Sequence, residues 1–301
     1  GYDDFRKIIE SSKLRFRKFK EPELKDTVRF YHGLTRGFIL NELFSRVEPK
    51  KRYMNQYFTE EIVPILSKND PNFKIYLKGK PSNSNDKVYH IKSTNKIWFI
   101  YHTVLSFIFK SSFHLPSQIF FNRFGLNTTY TDFKGMGKAG QIAKMPKCVK
   151  SYIKWDGNPA TMSKQFENEN DLKIEWLSGT GISNAHSMGK FMSYFLCNYF
   201  DAFTEAMKYP IKRVDGSISI STDFTQGGFC RIIANGIEWY GWGGLGGSYY
   251  MYAPKYKCVL SYLVTGHNRF DIGFHPYGEH MGKAPRVAVL LKIMSEYLKA
   301  L

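Results

Sequence analysis

YGWGGLGGSYYMYAPKYKCVLSYLV, Tyr240 to Val264, sets five glycines in its first eight positions, with a tryptophan among them, ahead of an aromatic and β-branched run. Glycine weakens a strand, so a cluster of this kind marks a close backbone approach, a bulge or a strained turn just before one. The flanking segments share a period of two. SISIS (217–221), FCRIIAN (229–235), SYYMYAP (248–254) and CVLSYLVTG (258–266) are predicted to be antiparallel strands joined by turns.

Upstream the period changes. Phe38, Ile39, Leu43 and Val47 in FYHGLTRGFILNELFSRV predict a helix with one broad apolar face. NQYFTEEIVPIL (55–66) predicts a second helix, with Asn55 or Thr59 as cap and Pro64 near its end. DPNFKIYLKG (70–79) reads as a short strand closed by Gly79, followed by the polar loop KPSNSNDK (80–87). A helix is expected near 97–111, and loop with short helices over 122–160. SNAHSMGKFMSYFLCNYF (183–200) predicts a helix capped by Ser183 or Asn184, and PRVAVLLKIMSEYLKAL (285–301) an amphipathic helix. Helices, then an antiparallel sheet, then a helix to cover it, define an α+β fold.

Composition bounds the function. The 301 residues are 43% hydrophobic and 17% aromatic, enough for a large core and unlike a disordered chain. Cysteines at 148, 197, 230 and 258 form neither a disulfide framework nor a zinc pattern and read as free thiols. The net charge of +17 favours acidic partners: an acidic protein surface, anionic lipid or nucleic acid. Its densest block is RKIIESSKLRFRKFK (6–20), in a basic arm over residues 1–30. No nucleic-acid-binding module is recognisable, so nucleic acid ranks last among these partners. Ile97–Phe109 is the most apolar stretch, and its 13 residues are too few for a spanning helix.

Several stretches, in order, resemble the serine β-lactamase-related family of class C β-lactamases, D-alanyl-D-alanine carboxypeptidases and esterases. They are YHGLTRGFILNELFSRV with NQYFTEEIVPIL, the Gly-x-x-Asn-Ala-x-Ser run from Gly181 to Ser187, FTQGGF with the glycine-rich stretch above, and KAPRVAVLLKIMSEYLKAL. The resemblance implies a serine β-lactamase/transpeptidase-like fold, as a single domain over 31–301. In that chemistry a Ser-x-x-Lys serine attacks an acyl carbon while the lysine and the tyrosine of a Tyr-x-Asn motif move its proton.

Tyr31 falls at the tyrosine position, but Gly33 stands where the amide would be. Trp242-Gly243-Gly244 falls at the Lys-Thr-Gly or His-x-Gly motif, so an indole with one donor and no titratable group replaces a basic side chain. Leu245 would supply an oxyanion-hole N–H, and Gly244, Gly246 and Gly247 would let the strand edge lie against a carbonyl. These residues are read as vestigial, with Trp242, Gly243, Gly244 and Gly247 lining the pocket.

No Ser-x-x-Lys precedes Tyr31. Four tetrads follow it, at Ser84, Ser93, Ser151 and Ser187, and are read as coincidence. The resemblance therefore implies that the family's first strands and nucleophile helix lie outside this chain, on the same polypeptide or a second one. Without them a strand edge is left unpaired.

Other constellations are weaker. His275 and His280, with Glu279 beside them, have a His-x4-His spacing but no further nearby ligand with helical spacing, and read as a polar loop, so no metal or other cofactor is expected. KGMGKAG (134–140) lacks a full phosphate-loop spacing. His186 stands where relatives often have arginine and is assigned a packing or hydrogen-bonding role. Phe16–Phe19 mixes aromatic and basic residues as a docking tail does.

The expected function is a catalytically inactive family member. It would serve as an accessory subunit, partnered by the other proteins of a large, mitochondrial, membrane-associated complex and by anionic lipid. The alternative is a serine acyl hydrolase whose nucleophile lies upstream of this chain.

Overall fold

A computed structural model describes residues 6–7, 10–11, 28–29, 36–90, 175–215, 220–244, 248–265 and 285–301. They fall into two compact units. One holds the described residues among 1–25, 32–90 and 144–191, the other those among 26–31, 91–143 and 192–301.

The second unit is built on a seven-stranded sheet in the order β1-β4-β5-β6-β7-β8-β9. Its strands are β1 (Val28–Arg29), β4 (Ile211–Asp215), β5 (Ile220–Phe224), β6 (Cys230–Ala234), β7 (Ile237–Gly243), β8 (Tyr249–Ala253) and β9 (Cys258–Tyr262). The pairs from β4 to β9 are antiparallel, and β1 joins β4 in parallel. Among the described residues β9 is paired on one side only. Asn235 and Gly236, with φ of 46° and 75°, form the two-residue loop between β6 and β7, whose flanking residues Ala234 and Ile237 are paired. Positive φ at both loop positions matches the twist of the strands, which is why Asn-Gly serves there.

Helix α6 (Pro285–Ala300) covers one face of this sheet. Val287, Leu291 and Leu298 point inward at helical spacing and meet Ile232, Ile237, Trp239, Tyr249 and Met251. Each large apolar side chain fully withdrawn from water contributes roughly 1.5–3 kcal/mol, so this contact stabilises the unit. Trp239 Nε1 donates to Ser295 Oγ over 2.9 Å within the core, satisfying the one polar atom of the indole. The α+β class is observed.

The first unit contains α1 (Arg36–Val47) and a helical run of α2 (Met54–Tyr57), a π turn (Phe58–Ile62) and α3 (Val63–Ser67). It also holds the antiparallel pair β2 (Ile75–Tyr76) with β3 (Ile182–Ser183), and the start of α4 (Ala185–Asn198). Helix α5 (Phe200–Met207) belongs to the second unit.

Of three expectations, two are corrected and one, the cap of α4, is met by one of its two candidates. Neither Asn55 nor Thr59 caps the second helix; the Met54 N–H is received by Asn41 Oδ1 (2.8 Å) and the Asn55 N–H by Glu175 Oε2 (3.1 Å). Of the two caps expected for α4, Asn184 is the one observed, its Oδ1 accepting the Ser187 N–H at 2.7 Å. The third concerns α1. Phe38 is buried, but Leu43 and Val47 are 54% and 78% exposed, and the inner face is completed by Asn41 and Ser45. The expected helix at 97–111, the loop at 122–160 and the histidine loop at 275–280 lie outside the described residues.

Candidate functional site

The tryptophan and first glycines of the opening stretch end β7. On one flank β7 pairs with β6 only as far as Gly241, opposite Cys230. On the other it pairs with β8 as far as Gly243, opposite Tyr249. Trp242 and Gly243 therefore overhang β6, and among the described residues they have a strand partner on the β8 side alone. The Gly244 N–H donates to the Ser248 carbonyl at 2.7 Å and closes the connection to β8.

The glycines differ in what surrounds them. A Cβ on Gly241 would stand 1.9 Å from the Tyr250 carbonyl oxygen and 2.8 Å from Met251 Sδ. On Gly243 it would stand 2.5 Å from Cε1 of Tyr249, a ring only 1% exposed. On Gly244 the nearest atom would be Ser248 O at 3.6 Å, ordinary contact. Close packing alone thus demands glycine at 241 and 243, and leaves space beside 244.

Trp242 is half-buried, packed against the core cluster, with its ring centroid 6.2 Å from that of Phe224. An indole in an apolar setting orients rings and gives no proton. Two strand tyrosines lie near it in sequence register. Tyr240 donates to Glu238 Oε2 at 3.0 Å, and burial first, then that bond, pushes its hydroxyl up to about 12. Tyr252 is also pushed up, chiefly by burial and secondarily by Tyr250. A tyrosine acting as base at neutral pH needs the opposite shift. On the same face Arg231 bridges Asp223 (2.6 Å) and Glu238 (2.6 Å), a closed ion network. Of the residues assigned to the pocket, the structure brings together Trp242, Gly243 and Gly244; Tyr31, Leu245, Gly246 and Gly247 lie outside the described residues.

Two Ser-x-x-Lys tetrads are described, and each is engaged elsewhere. Ser187 is fully buried; it accepts the Lys74 N–H at 2.7 Å and donates to the Asn72 carbonyl at 3.2 Å. Lys190 of the same tetrad pairs with Asp70 at 2.9 Å, and His186 Nε2 lies 2.7 Å from that carboxylate. The Lys190 bond first, then that of His186, holds Asp70 down at about 2. Ser84 donates to Asp86 at 3.0 Å, and Lys87 Nζ lies 5.1 Å from the Tyr89 ring centroid. His186 thus has the hydrogen-bonding role assigned to it.

Two further polar centres escaped the sequence reading. Arg52, nearly buried, binds Glu48 (2.7 Å), Glu60 (2.8 Å) and Glu61 (2.7 Å), and the π turn brings the two consecutive glutamates to one guanidinium. Glu175 is buried and accepts from Asn41 Nδ2 (2.8 Å) and the Asn55 N–H; its carboxyl is raised, chiefly by burial, with these bonds opposing. Both centres tie helices together. Among the described residues no group of three or more His, Cys, Asp or Glu side chains is placed to hold a metal. Nor is any helix among them long and apolar enough to cross a membrane. No family model and no curated protein matches the chain.

Proposed function

We propose that this chain carries a serine β-lactamase-related scaffold whose pocket strand serves packing rather than acyl transfer. It acts as an accessory subunit of a larger, mitochondrial, membrane-associated assembly, among other protein subunits and beside anionic lipid. The observation that carries this reading is the β7 terminus. Gly241 and Gly243 are accounted for by Tyr250, Met251 and Tyr249, and the motif's basic position holds Trp242, packed beside Phe224. The charge of +17 supports an acidic partner. Native isolation tests it. A subunit elutes well above the 35.0 kDa of the chain; a free monomer of that mass contradicts the reading.

A second reading rests on the other half of the same geometry. The β7 end overhangs β6, and Gly244 has room beside it, so a substrate carbonyl could approach there. In an acyl hydrolase with its Ser-x-x-Lys outside this chain, Tyr31 is the base and the Leu245 N–H donates to the oxyanion. Tyr31→Phe then lowers ester hydrolysis by at least ~10²-fold; an unchanged rate removes this reading.

A further inference from the structure

Helix α1 buries polar side chains and leaves an apolar row exposed. At 100° per residue its innermost side chains are Phe38, Asn41 and Ser45, all buried, two of them polar, with Ile39 and Phe44 half-buried at its sides. The opposite face carries Leu40, Leu43 and Val47, which are 47%, 54% and 78% exposed. These three stand at i, i+3 and i+7, a single row along the helix. Scattered surface leucines need no explanation, but an aligned row on a helix that buries Asn41 and Ser45 instead does.

The charges around the row are one-sided. Exposed Arg36 begins it, one turn before Leu40, and has no acidic partner among the described residues. Exposed Lys50 and Lys51 follow its end. Among the described residues, Lys51 donates to the Arg46 carbonyl and has no acidic partner, and Lys50 reaches only Glu61, at 3.5 Å, a group already held by Arg52. The nearby acids are matched: Glu42 lies between Arg6 (2.6 Å) and Arg46 (2.9 Å), Glu10 meets Arg46 (2.7 Å), and Glu48 meets Arg52. Arg6 and Glu10 of the basic arm thus engage Glu42 and Arg46 on one flank of α1 and leave the apolar row open.

We propose that this outer face of α1 docks an amphipathic helix of a partner protein whose apolar anchors are bordered by acidic residues. Anchors at i, i+3 and i+7 suit a helix laid along a helix, and cations at both ends of the row select acidic borders. A second copy of this chain would set Arg36, Lys50 and Lys51 against their own kind. The surface rests on the subunit reading only in requiring that a partner exist.

The test is site-specific photo-crosslinking in the cells that make the protein, with p-benzoyl-phenylalanine at Leu43 of the full chain and at exposed Glu205 as control. The expected product is an adduct at Leu43, absent at Glu205, with a net-negative segment of another protein whose apolar residues recur at helical spacing. Reversing charge with Arg36→Glu and Lys50→Glu, both exposed and so without effect on folding by circular dichroism, lowers its yield at least ~10-fold. An adduct with lipid, with a second copy of this chain or with a neutral or basic segment overturns the proposal, as does no adduct. If native size shows an assembly but Leu43 gives no adduct, this surface alone fails; a free monomer with no adduct sinks the subunit reading as well.

Discussion

The ring of Tyr249 packs against Gly243, its Cε1 2.5 Å from where a Cβ would stand, and at 1% exposure it is fully enclosed. A methyl group at 243, or at 241 against the Tyr250 carbonyl, is expected to cost about 1–3 kcal/mol, the scale of overpacking. Gly244→Ala, with 3.6 Å to its nearest neighbour, is expected to leave stability within ~0.5 kcal/mol of the parent. Urea denaturation of the three variants measures this; equal losses at all three positions would contradict the packing assignment. Arg52 gives a pH-dependent counterpart. Its hydrogen bonds first hold Glu48, Glu60 and Glu61 below their ordinary value of 4.5. A carboxylate with a depressed folded-state pKa stabilises above its unfolded value and loses that contribution as pH falls through the folded value. Arg52→Met should therefore lower Tm markedly at pH 7 and progressively less as pH drops below 4.5, whereas a pH-independent loss would assign Arg52 to packing.

Elements differ in how much of them the sequence discloses. Strands β6, β8 and β9 follow from period two, and α4 and α6 from apolar spacing with an Asn cap or a Pro start. β4 is hidden because Lys212, Arg213 and Asp215 break its alternation after Pro210, and β7 because its glycines read as a turn before a strand. The signal for β7 was present in Asn235-Gly236, the two-residue hairpin dipeptide. The true caps of α2 could not be read locally, since Asn41 and Glu175 lie 13 and 120 residues from the N–H groups they receive. Glu175 makes that capping measurable. Burial raises its folded-state pKa above 4.5, so stability falls as pH rises from 4.5 through the raised value and is level above it. Glu175→Gln, which cannot ionise, should abolish that slope; an unchanged slope would place the titration elsewhere.

For the whole molecule, an α+β unit with a helix-covered antiparallel sheet was legible because hydrophobic period reports which faces are buried. The candidate site rests on position alone. The order of motifs located Trp242-Gly243-Gly244, but whether glycine there serves a substrate or a neighbouring ring depends on cross-strand register, which pairs Gly243 with Tyr249. The exposed apolar row on α1 was not legible, because apolar periodicity assigns Leu43 and Val47 to the buried side. The central claim is that this scaffold performs no acyl transfer. Intact-mass spectrometry of the natively isolated protein, after incubation with a fluorophosphonate, tests it most directly. A packed and chemically silent pocket leaves the mass unchanged, and a stoichiometric phosphonyl adduct on a serine would contradict the claim.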